Sequence, residues 1–113
     1  MVLNEPAKAQ QAYARAVALA PTDKELLLAY ANATLMAPGP VEVPPQSVEA
    51  LRQVLQTDAA NPAALWLVGL AEARANHAQE ADALWKRLLS ELEADTPAYN
   101  AVQARINALG PAK

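Results

Sequence analysis

A chain of 113 residues, 53% of them hydrophobic and 19% charged, is long enough to bury one core of its own and too short for several. A net charge of −3 leaves no basic stripe for a nucleic-acid backbone, and the absence of cysteine excludes disulfides and thiolate metal sites while leaving the redox compartment open. Phe is missing and Gly numbers only three, against an abundance of Ala and Leu, so an all-α chain is expected.

Apolar and small residues recurring at spacings of three and four predict six helices, at 6–20, 23–37, 47–57, 62–75, 78–92 and 97–109. The opening "MVLNEPAKAQQ" has neither the basic nor the apolar region of a secretory leader, and no apolar run approaches the ~20 residues that cross a bilayer. Asp23 is placed to cap the second helix, Asn61 the fourth and Thr96 the sixth, the last two each followed by a proline at a first helical position. Between 37 and 47, "APGPVEVPPQS" holds four prolines and a glycine, which forbid continuous helix, and Ser47 is expected to cap the third helix. This segment reads as a surface insertion, because loops of such length are extended at small entropic cost.

Three of the helices share a pattern of a small residue, a large one four positions on, then an apolar pair three and four further. The sets are Ala9, Tyr13, Ala16 and Val17; Ser47, Leu51, Val54 and Leu55; Ala81, Trp85, Leu88 and Leu89. The small positions 9, 47 and 81 are separated by 38 and 34 residues, the first step carrying the insertion. In this the chain resembles the tetratricopeptide repeat family. Residues 62–95 fit best, with Leu65, Val68, Gly69, Ala81, Trp85, Leu88 and Leu89 in register, although Glu72 stands where that family prefers Tyr and Asn76 where it prefers Gly. The resemblance implies a right-handed superhelical array of helical hairpins, with Gly or Ala allowing paired helices to approach and neighbouring pairs burying one continuous core. Residues 1–113 then form a single domain. In it 6–20 is the second helix of a truncated repeat, 23–57 a repeat with the 37–47 insertion, 62–92 a further repeat and 97–109 a capping helix. The unpartnered first helix marks the chain as part of a longer protein and offers a surface for homodimerisation.

A narrower likeness rests on "ALWLVGLAEARANHAQEADALWKRLL", where Leu65, Trp66, Leu67, Gly69, Ala71, Ala81, Trp85, Leu88 and Leu89 resemble the last full repeat of the periplasmic domain of bacterial cytochrome c maturation (haem lyase) proteins. That resemblance implies a periplasmic module, membrane-anchored through a portion upstream, that holds apocytochrome c by its C-terminal helix for haem ligation. It implies no cofactor and no chemistry of its own. A scaffold of another multiprotein assembly is the alternative.

In repeat geometry the first helices line a concave face. The outward positions are Glu25, Leu28, Asn32, Leu35 and Met36 in one repeat and Ala63, Trp66, Leu70, Ala73 and Arg74 in the next. Leu28, Asn32, Leu35, Trp66, Leu70 and Arg74 are therefore the expected peptide-binding groove, suited to the apolar face of an amphipathic helix. Trp66 is expected to turn into that groove, since Leu65 and Val68 already occupy the inward positions, while Trp85 is expected in the core. A carboxylate clamp of the kind known in this fold would need cations where Leu28, Trp66 and Leu70 stand. His77, the sole histidine, reads as a solvated turn residue rather than a metal ligand or base, and no nucleophile–base set or phosphate loop is present. The acidic "SELEAD" run reads as a solvated helix end.

Overall fold

The computed structural model describes residues 5–20, 22–35 and 41–109, with side chains from residue 8 onward. Among them are six helices and no strand: α1 (Glu5–Leu19), α2 (Lys24–Leu35), α3 (Pro45–Thr57), α4 (Pro62–Arg74), α5 (Ala78–Ser90) and α6 (Pro97–Ala108). Three starts are capped as their residue types dictate. The Asp23 carboxylate accepts from the backbone N–H groups of Glu25 and Leu26 at 3.0 and 3.2 Å, Asn61 from Ala64 at 3.0 Å and Thr96 from Tyr99 at 3.2 Å.

The expected cap at Ser47 is not formed. α3 begins two residues earlier, at Pro45, whose fixed φ suits a first helical position, and Ser47 lies within its first turn. Its hydroxyl is buried and donates instead to the Ala14 carbonyl of α1 at 2.6 Å, so the small residue serves close approach of α1 and α3. The insertion also departs from the surface reading: Val41 and Val43 are 5% and 7% exposed and belong to the core, because their apolar side chains alternate with outward Glu42 in an extended stretch.

α4 is the hub. It packs against α2, α3 and α5; α1 packs on α2 and α3, and α6 on α5 and α2. The pair α2–α3, one hairpin in the repeat register, is joined through α1 and α4 rather than by close backbone contact. A helix enclosed on so many sides has no polar face to spare, and residues Ala63 to Leu70 are buried without interruption. On the outer side of α1, Ala9 is exposed and Leu19 is 87% exposed. Tyr30 of α2 is fully buried, its hydroxyl has no hydrogen-bond partner, and burial pushes its pKa up to about 12.

α4 ends in a Schellman motif. Asn76 takes φ 66°, the left-handed conformation, and the backbone N–H groups of His77 and Asn76 return to the carbonyls of Glu72 and Ala73 at 2.8 and 3.2 Å. Asn is one of the few residues besides Gly that adopts this conformation at small cost, which accounts for its presence where the repeat pattern has Gly. Asn76→Ala should therefore lower stability by about 1 kcal/mol and Asn76→Gly should not, as read from urea midpoints at unchanged slope.

Candidate functional site

The expected groove residues divide between two cavities. Leu28, Asn32 and Leu35 on α2 and Trp66 on α4 border a cleft of about 130 Å³, closed on the far side by Leu88 of α5 and by Ala98 and Val102 of α6. Its lining is apolar apart from Asn32. A cavity of about this size accommodates one benzene-sized apolar group. Leu28 is 60% exposed at its mouth, and among described residues only Leu19 is a more exposed large apolar side chain. Asn32 is exposed and Leu35 half-buried.

Leu70 and Arg74 face elsewhere, onto a cavity of about 280 Å³ shared with Val41, Asn76, Trp85 and Arg105. Leu70 is 3% exposed. Val41, from the insertion, borders that same cavity. Arg74 is exposed at its rim. Of the other outward positions, Ala63 is buried, and Met36 lies outside the described residues.

Trp66 does not project into the groove. It is 2% exposed, and its indole forms part of the core beneath the cleft. Its Nε1–H donates to the Thr34 hydroxyl of α2 at 2.8 Å, and that hydroxyl donates onward to the Ala31 carbonyl at 3.0 Å. The ring stacks on Trp85 with centroids 5.5 Å apart and planes inclined by 29°, while the Trp85 Nε1–H donates to the Trp66 carbonyl at 3.2 Å. The Arg105 guanidinium of α6 lies 5.8 Å from the Trp66 ring centroid, within cation–π range. Thr34 and Arg105, neither of them among the expected groove residues, thus hold the ring whose edge forms the cleft floor.

His77 has a role that spacing did not reveal. Glu72 is buried; Arg52 of α3 pairs with its Oε2, and His77 Nδ1 lies 2.6 Å from its Oε1. A carboxylate inside the repeat is tolerated because both oxygens are partnered.

Hairpins α4–α5 stacked on α1–α3 and closed by α6, with small residues at the helix contacts and an apolar cleft between first helices, define a helical-repeat module of the tetratricopeptide class. The chain belongs to the family described as the cytochrome c-type biogenesis protein H TPR domain, whose model matches residues 1–99 and so reaches into the first turn of α6. No curated protein and no solved structure matches the chain. Among the described residues, no helix is long and apolar enough to cross a membrane.

Proposed function

We propose that this module binds a helical segment of apocytochrome c, the C-terminal one, and presents it for haem ligation on the periplasmic side of the membrane without chemistry of its own. The observation that carries the reading is the open apolar cleft at Leu28, Asn32 and Leu35 in a member of a cytochrome c biogenesis family. An amphipathic guest helix would place one aliphatic or aromatic side chain in the cleft and lay its backbone across the Leu28 mouth. Trp66 contributes by shaping the floor, and Asn32 supplies an amide able to hydrogen-bond a guest polar group. Leu70 and Arg74 would meet only a longer guest that reaches past Val41.

Isothermal titration with a synthetic C-terminal helical peptide of an apocytochrome c tests the proposal. Saturable binding is expected, weakened about tenfold by Leu28→Asp with thermal stability unchanged, because Leu28 is mostly exposed and its truncation opens no cavity. Absence of saturation, or equal affinity in the Leu28→Asp variant, would remove the cleft from consideration.

A further inference from the structure

The turn between α4 and α5 gathers ligand-type side chains from two helices, away from the cleft. Glu72 is a charged group on the most enclosed helix of the fold, its side chain 7% exposed. Arg52 holds Oε2 and leaves Oε1 directed at His77 Nδ1, 2.6 Å away. The left-handed Asn76 turns the chain back so that His77 bonds Glu72 through backbone and side chain alike. Where Schellman motifs commonly place an apolar contact between these two positions, this one has a carboxylate and an imidazole. Glu80, in the first turn of α5, brings its Oε1 to 3.7 Å from the same Nδ1. One ligand atom from each of the three residues lies within 4.8 Å of the others.

We propose that Glu72, His77 and Glu80 form a binding site for a divalent transition-metal ion of the zinc type, coordinated by Nδ1 of the imidazole and one oxygen of each carboxylate. The proposal goes beyond peptide binding and does not depend on it. Imidazole with carboxylates is a donor set suited to such an ion, and two carboxylates balance its charge. In the metal-free chain Nδ1 of the imidazole and Oε1 of Glu72 are in hydrogen-bond contact. A coordinated Nδ1 carries no proton, so the ion replaces that hydrogen bond and the imidazole keeps its one proton on Nε2. Tetrahedral coordination with bonds of about 2.0–2.2 Å sets ligand atoms roughly 3.3 Å apart. The 2.6 Å contact must therefore open slightly and the 3.7 Å contact close slightly, movements available to side chains that are 55% exposed in His77 and 63% exposed in Glu80. Arg52 fixes the orientation of the buried carboxylate, as an outer partner does in metal sites generally. The fourth position opens to solvent and takes water.

The chain has one histidine and no cysteine, so a site with imidazole coordination has no second location. Zn²⁺ titrated calorimetrically near neutral pH into the full chain, free of any histidine tag, should bind at one ion per chain. The affinity should fall about tenfold or more in His77→Ala, which leaves Glu72 held by Arg52 alone, and in Glu80→Gln, an exposed position whose substitution leaves the Arg52–Glu72 pair in place. The ¹⁵N resonance of Nδ1, unambiguous for a single imidazole, should shift on saturation. Undiminished uptake by His77→Ala, coordination through Nε2 alone, or no stoichiometric binding would each overturn the site.

Discussion

Gly69→Ala should destabilise the domain by about 3 kcal/mol, at the upper end of over-packing penalties. A Cβ built on Gly69 would overlap the five-membered ring of the Trp85 indole, far inside van der Waals contact with Nε1, Cδ1 and Cε2. The ring cannot slide aside: it is 1% exposed, stacked on Trp66, and tied through its N–H to the Trp66 carbonyl. Relief would require α4 and α5, the most closely packed pair, to separate along their length. Helix propensity works in the opposite sense, favouring Ala over Gly by about 1 kcal/mol, so the sign of the result decides between the two effects. A urea midpoint equal to or above that of the parent chain would mean that the two helices part at no cost.

Trp66→Ala is expected to cost about 3–5 kcal/mol, as much as Trp85→Ala. Removing the indole empties the space between α2 and α5, ends the stack, and leaves the Thr34 hydroxyl without its donor. Against a typical total stability of about 5–15 kcal/mol, either change brings the domain near unfolding at ambient temperature. Thermal and urea unfolding of Trp66→Ala check this, and a loss below about 1 kcal/mol would restore the view of Trp66 as a guest-facing residue. Any peptide-binding defect in that variant has to be read against its folded fraction, which makes Leu28 the cleaner probe of the cleft.

The caps at Asp23, Asn61 and Thr96, the core place of Trp85 and the close approach at Gly69 were legible because each depends on a residue type and its near neighbours. The burial of Trp66 was not, for a different reason. With Leu65 and Val68 already facing inward, a one-sided helix has no room for a third direction, but α4 is not one-sided. Its run "PAALWLVGLA" contains no polar residue, and that is the signature of a helix buried all round. Val41 and Val43 carried a similar signal, two β-branched residues flanking Glu42 among prolines, outweighed by the loop chemistry around them. The division of the groove has the same origin, since Val41 of the insertion borders the cavity at Leu70 and Arg74. The meeting of Glu72 with His77 was not readable from spacing. Residues five apart diverge on a continuous helix, and only the left-handed turn at Asn76 folds one back upon the other.

The Trp66–Trp85 stack has an optical consequence. The chain has no other tryptophan, and indoles 5.5 Å apart share their excited states, so the two absorb and emit as a coupled pair rather than as independent chromophores. One member of the pair forms the floor of the cleft and the other fastens α5 to α4. The protein therefore contains an intrinsic gauge, needing no label, whose signal belongs at once to the integrity of the last repeat and to the cleft beside Leu28.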